Sequence, residues 1–320
     1  MLALWTGILA TKKSGGKLHA LHTLRDTGKA LIMASTRDIR RRIKSIKSTA
    51  QITKAMQMVA ASKMRKAQQA ALNARPFARM LYRFQRHATT QSVDFTHPLL
   101  EARPVNRRAV ILIGGDKGLC GALNSNLFRL ASRFDPASTV FITAGRRAAQ
   151  FVARTRRQLV AEFAYGDTPR FSEAKAITTC AIDLFLKREV DEVQVVATRF
   201  VNTLTQVAVS MELLPVGEAK GLKLPEGLTE EELVAHEPEY LFEPSPEAFL
   251  SYLLSHYFNV FIYLILLNAK ASEQSARMVA MKNATDNANT LIQDLTLEYN
   301  KLRQGKITTE LLEIVGGQTD

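Results

Sequence analysis

Ser245 to Gln304 reads SPEAFLSYLLSHYFNVFIYLILLNAKASEQSARMVAMKNATDNANTLIQDLTLEYNKLRQ, and between Pro246 and Gly305 it holds neither glycine nor proline. Ordinary globular helices run about 11 residues, so this stretch predicts one helix of unusual length. Its start is well marked. Ser245 is a good N-cap, Pro246 suits the first helical position, where a missing N–H is no loss, and Glu247 suits the positive end of the helix dipole. From Met281 the small or apolar residues Met281, Ala284, Ala288, Leu291, Leu295 and Leu302 alternate three and four apart, with only Glu298 breaking the series. That spacing is a coiled-coil seam, and a seam needs a partner helix.

The partner is the other long segment, Thr36 to about Gln91. Ile39, Ile43, Ile46, Ala50, Thr53, Met56, Ala60, Met64, Ala67, Ala71 and Ala74 recur at three or four residues, giving an apolar face of mostly small side chains. Pro76 removes one helical hydrogen bond and crowds the previous turn, so a bend is expected there. At 1.5 Å per residue each helix would be on the order of 80 to 100 Å long, far beyond the roughly 13 Å gyration radius of a 100-residue domain. Neither can be buried in a compact body.

Composition is that of an ordinary ordered protein, with 46% hydrophobic residues, 16 glycines and 10 prolines in 320 residues. Cys120 and Cys180 are its two cysteines, without metal-like spacing, which suits a reducing compartment rather than a disulfide framework. The strongest apolar run, Phe258 to Leu267, contains Asn259 and falls short of the roughly 20 residues that span a bilayer; it reads as helix packed under protein. Thr36 to Arg86 carries fourteen Lys or Arg against Asp38 alone, which accounts for the whole net charge of +13. A basic helix of this kind suits nucleic acid, a membrane surface or an acidic protein face, or is simply a solvated face. Met1 to Ile32 lacks the pattern of a targeting peptide, and residues 1–35 are expected to be a disordered leader or a misassigned start, with Met33 as an alternative initiator.

Between the helices, 105–240 reads as an α/β domain. Arg108 to Ile113 (RAVILI) is a buried strand, followed by the glycine turn Gly114 to Gly118 and a helix from Gly121 to about Arg133. Thr139 to Thr143 is a second strand, Arg146 to Arg154 and Ser172 to Lys187 are helices, and Glu192 to Val201 is a third strand. Asn202 to Thr205 then turns into a strand through Leu214. Pro215 to Tyr240 is a surface connection to the C-terminal helix, which covers 245–317. The glycines invite a nucleotide reading, but Gly115, Gly118 and Gly121 match neither the dinucleotide fingerprint nor the P-loop, and Lys117 is not followed by Ser or Thr. A tight turn that needs glycine is the reading adopted. Cys120 lacks a paired histidine and reads as a packing residue. The six histidines lack ligand spacing, and Glu230 to Glu232 reads as a solvated loop. No catalytic, cofactor or metal residue is expected.

Five segments in order carry a family resemblance: ITKAMQMVAASKMRKAQ (Ile52–Gln68), KGLCGALN (Lys117–Asn124), RFVNTLTQ (Arg199–Gln206), ASEQSARMVAMKNATDNAN (Ala271–Asn289) and ITTELLEIVGGQ (Ile307–Gln318). Together they resemble the gamma subunit of the rotary ATP synthase, from about Met33 to the end, with Gln318 where the family usually has alanine. The resemblance implies an α/β foot domain, a small sheet flanked by helices, beside a long antiparallel two-helix coiled coil formed by the N- and C-terminal segments. It implies a central rotor shaft without a catalytic site or cofactor. One copy would turn inside a ring of alpha and beta subunits, its foot on the membrane c-ring with the epsilon subunit. The expected location is peripheral to the bacterial inner (plasma) membrane on the cytoplasmic side, or alternatively the matrix side of the mitochondrial inner membrane. Lys54, Met56, Lys63, Arg65 and Lys66 are then expected to face the surrounding subunits, the basic ones meeting acidic beta-subunit loops, and Arg303, Gln304 and Thr308 to contact beta-subunit loops near the shaft's far end. The rival reading is a basic coiled coil that binds nucleic acid, but Met56 to Ala74 offers no aromatic stacking residue or reading motif.

Overall fold

The computed structural model describes residues 17–91, 97–215 and 246–316. They form α1 (Lys17–Gln91), a 3-10 turn (Pro98–Leu100), β1 (Arg108–Ile113), α2 (Leu123–Ala131), β2 (Thr139–Ala144), α3 (Arg146–Arg154), β3 (Gln158–Phe163), α4 (Phe171–Leu186), β4 (Glu192–Phe200), β5 (Gln206–Leu214) and α5 (Pro246–Gly316). Helix α1 starts at Lys17, ahead of the expected Thr36, because Lys17 to Ser35 contains no proline and only Gly28 to interrupt a helix; residues 1–16 of the expected leader lie outside the described residues. Pro76 lies inside α1, which carries on to Gln91. Of the expected surface connection, all but Pro215 lies outside the described residues.

The chain divides into two compact units, residues 1–52 with 284–320, and residues 53–283. This division cuts through both long helices, whereas the sequence boundaries lie at their ends. The cause is packing: Ala78 and Leu81 of α1 and Leu253 to Ala269 of α5 share one apolar cluster with the sheet.

In the larger unit the five strands are ordered β3-β2-β1-β4-β5. β1 is parallel to β2 and to β4, and β2 to β3, while β5 is antiparallel to β4. One face of the sheet, with Ile111, Ile113, Ile142 and Val195, packs on Ile177 and Phe185 of α4 and on Phe258, Ile262 and Leu266 of α5. The other, with Val110, Leu112, Phe141 and Val196, packs on Leu127 of α2 and on Ala148 and Val152 of α3. Helices on both faces explain why RAVILI is apolar at every position but its first, since a central parallel strand meets protein on both sides. The expected turn at Asn202 is present: its Oδ1 accepts the backbone N–H groups of Leu204 at 2.9 Å and Thr205 at 2.8 Å and closes the β4–β5 hairpin.

Helices α1 and α5 run antiparallel within this unit. The Phe77 and His256 rings pack at an interplanar angle of 82°, and Lys63 and Lys270 share one carboxylate, that of Asp167. The apolar run Phe258 to Leu267 belongs to a part of α5 long and apolar enough to cross a bilayer, yet 67% of that part is buried in protein.

In the smaller unit Ile39 and Ala50 of α1 and Thr285 and Ala288 of α5 are buried. Arg40 donates to the Tyr299 hydroxyl, with its guanidinium 5.3 Å from that ring's centre. The seam on α5 differs at one step from the sequence spacing: Leu291 is 46% exposed, and Ile292, Leu295, Tyr299 and Leu302 are the half-buried residues. The three-four alternation therefore continues through Tyr299, which supplies the contact that Glu298 cannot.

Candidate functional site

The strand order reverses direction on either side of β1, so the carboxyl ends of β1 and β4 border a crevice. In doubly wound sheets a ligand commonly binds in such a crevice. Here α5 fills it. At the β1 side, Arg277 Nη2 donates to Gly118 O at 3.2 Å and Lys117 O at 3.3 Å, and Nε donates to Gly118 O at 3.3 Å. At the β4 side, Ser272 Oγ donates to Thr198 O at 3.4 Å and Ser275 Oγ to Thr203 O at 2.7 Å. Carbonyls at strand ends and in loops need donors, and a polar stretch of helix supplies them here.

At Gly115 the turn lets α5 approach, while the space at Gly114 and Gly118 is bounded by Ala148 and Arg147 of α3. A Cβ on Gly115 would lie 2.9 Å from Cδ of Glu273, which is itself buried. The N-terminus of α3, the kind of position that binds phosphate in other proteins, is taken by the chain's own carboxylate: Asp116 Oδ1 accepts the Arg146 backbone N–H at 3.1 Å. The structural reading of the glycines thereby acquires a cause that their spacing alone did not reveal.

Behind the turn lies a cluster of charges. Lys270, 1% exposed, places Nζ 3.1 Å from Glu273 Oε2, 3.5 Å from Asp167 Oδ1 and 3.8 Å from Asp116 Oδ2, and 5.1 Å from the centre of the Tyr165 ring. Arg277 Nη2 donates to Glu273 Oε1 at 2.7 Å, and Nη1 donates to Gln274 Oε1 at 3.0 Å. Lys63 Nζ, on α1, donates to Asp167 Oδ2 at 2.5 Å. Three cations thus face three carboxylates, and of the carboxylates only Glu273 is buried. Buried ions survive only when paired and hydrogen-bonded, so this arrangement fixes the position of α5 in the unit.

None of these groups is set for catalysis. Burial, then the Glu273 charge, pushes the Tyr165 phenol well above its ordinary value. It stays protonated and donates to Gly114 O at 2.9 Å. Burial also raises the Cys120 thiol, leaving a neutral packing residue. The hydrogen bond from Lys63 holds the Asp167 carboxyl below the ordinary value. Because the folded value is lowered, the contribution is complete above the unfolded value of about 3.9 and is lost as pH falls through the folded one. The contact is therefore intact throughout the physiological range. The arrangement is a mechanical joint between a helix and a sheet.

The residues expected to touch partners are arranged differently. Lys54, Arg65 and Lys66 are exposed on the larger unit and make no ion pair with a described residue, while Met56 is half-buried. Lys63, partly exposed, pairs with Asp167 of its own chain. In the smaller unit Arg303, Gln304 and Thr308 are exposed, and the Thr308 hydroxyl donates to Gln304 O at 3.0 Å. The joint residues Lys270, Glu273, Arg277, Asp116 and Asp167 were not singled out from the sequence. A signal existed: Lys270, Glu273 and Arg277 continue the spacing of Met281, Ala284 and Ala288 backwards, placing charges where a seam calls for apolar residues.

A family model described as ATP synthase matches residues 35–319. The chain is 48% identical over 290 residues to the ATP synthase gamma chain of Opitutus terrae, covering 89% of this chain and 98% of that one. The chain belongs to the ATP synthase gamma-chain family. The gamma chain of Methylacidiphilum infernorum is 43% identical over 296 residues, covering 89% of this chain and 99% of that one. The central stalk and c-ring structure of the Tetrahymena thermophila mitochondrial ATP synthase contains a chain of TM-score 0.55 and 29% identity, matched over 73% of this chain and 99% of that one. A chain of the Euglena gracilis mitochondrial enzyme has TM-score 0.60 at 20% identity, over 89% of this chain and 94% of that one, a likeness of fold. The chain is the central rotor shaft of an ATP synthase and a non-catalytic subunit of that complex. Nothing in these likenesses supports the nucleic-acid reading.

Proposed function

We propose that Lys54, Arg65 and Lys66 of α1 face acidic loops of the catalytic beta subunits as the shaft turns, and that Arg303, Gln304 and Thr308 meet beta-subunit loops further along. The α/β unit rests on the membrane c-ring together with the epsilon subunit, one copy per complex, peripheral to the inner membrane on the cytoplasmic side of a bacterium. Proton flow turns the ring, and the shaft presents different faces in turn to each catalytic subunit, driving its nucleotide site between open and closed states. The observation that supports this most is the end of α5, where Leu311, Leu312, Ile314 and Val315 are 57–69% exposed. Apolar side chains gathered like this mark a surface that other protein encloses. Met56 and the small residue Ala61 suit a turning surface, because bulky interlocking knobs would hold one orientation.

Exposed ion pairs are each worth only about 0.2–1 kcal/mol, so attraction of this kind can be remade at every step. The triple charge reversal Lys54→Glu, Arg65→Glu and Lys66→Glu in the assembled enzyme is expected to lower proton-driven ATP synthesis several-fold while the complex still assembles. Synthesis and ATP-driven proton pumping both at wild-type levels would remove these three residues from the contact.

A further inference from the structure

Asp167, in the connection from β3 to α4, meets both long helices. Its Oδ2 takes Lys63 Nζ of α1 at 2.5 Å and its Oδ1 faces Lys270 Nζ of α5 at 3.5 Å. The two sides are unequal. Lys270 is held by Glu273 and sealed from water, with a side chain 2% exposed, whereas the Lys63 and Asp167 side chains are 35% and 49% exposed. Along this stretch α1 otherwise buries Ala60, Met64 and Ala67. Apolar contact is non-directional, so it resists separation more than sliding or turning. A charge-assisted hydrogen bond is directional and does resist such motion.

We propose that Asp167 is a positioning residue for energy coupling: it pins α1 to the α/β unit through Lys63, so that torque on α1 reaches the unit in which α5 is already fixed. The proposal rests on the rotor role of the chain. α5 is anchored by buried charges, whereas α1, beside the apolar contacts of Ala78 and Leu81 with the sheet, meets the β3–α4 connection through a partly exposed ion pair, and slip under load begins there. The pair is also open enough to water to re-form after each excursion, which suits a joint that is loaded repeatedly.

The test uses the complete ATP synthase in inverted membrane vesicles, measuring ATP hydrolysis and ATP-driven proton uptake together. Lys63→Met, Asp167→Asn, Asp167→Glu and the double variant Lys63→Met/Asp167→Asn are compared with wild type. Protons pumped per ATP are expected to fall about two- to five-fold in the first two, the scale set by a partly exposed ion pair, with assembly and hydrolysis retained. The double variant should be no worse than Asp167→Asn, because both remove the same contact. Asp167→Glu, which keeps the charge, should recover most of the pumping. Unchanged pumping per ATP in Asp167→Asn, effects that multiply in the double variant, or no recovery with glutamate would each overturn the proposal. So would failure of Asp167→Asn to assemble, which would make Asp167 a folding residue. If the wild-type chain itself were not recovered in an ATP-hydrolysing, proton-pumping complex, the rotor role would fall instead, a result separable from all of these.

Discussion

Replacing Glu273 by methionine is expected to destabilise the chain by about 3–5 kcal/mol, the usual cost of leaving buried charge without its partner. Glu273 is the buried acid between two buried cations, accepting from Arg277 at 2.7 Å and lying 3.1 Å from Lys270 Nζ. Without it, Lys270 and Arg277 face each other with only the partly exposed Asp116 and Asp167 to compensate Lys270. Lys270→Met should cost less, because Glu273 then keeps Arg277, and Glu273→Gln should lie between wild type and Glu273→Met because it retains a hydrogen-bonding oxygen. Urea unfolding of the four proteins gives the order directly, read as midpoint shifts at constant slope. If Lys270→Met proved the most damaging, the cluster would be organised around the lysine and not around the glutamate.

The second large effect is expected at Gly145, before α3. Its φ is +94°, a conformation essentially confined to glycine, and an added Cβ would lie 2.1 Å from Gly114 O. Gly145→Ala therefore carries backbone strain of about 1–3 kcal/mol and a steric conflict of about 1–3 kcal/mol more. Gly121 is the control. Its φ is +59°, but a Cβ there meets nothing within 4 Å, so Gly121→Ala should cost only about 1–2 kcal/mol for the left-handed backbone. Equal unfolding midpoints for the two alanine variants would show that the Gly114–Gly145 approach is not tight.

The long helices were legible because their signals are long: a run free of glycine and proline, and a seam repeated over many turns. β1 was legible because burial on both faces leaves a continuous apolar word, RAVILI. β3 was not. Gln158 to Phe163 is an edge strand with Leu159 and Val160 both about 40% exposed, so it has neither a continuous apolar run nor a clean alternation. Leu291 was assigned to the seam because counting residues cannot show that Tyr299, paired with Arg40, continues the helix contact through Ile292. The joint was hidden for a different reason. Asp116, Asp167 and Glu273 are far apart in the chain, and only the closeness of the two loops to α5 makes a cluster of them. Charges at seam positions could have marked the α5 half of it. No local feature marks Asp167, whose partners lie on two other elements.

The most direct test is to fix the ring of alpha and beta subunits to a surface and attach a probe to the α/β unit through a cysteine at Leu204. That residue, at the tip of the β4–β5 hairpin, is 78% exposed. With α5 anchored in the sheet crevice by Glu273, Lys270 and Arg277, the probe should turn continuously in one direction while ATP is hydrolysed. A probe that stays still, or moves only at random, during sustained hydrolysis would contradict the account.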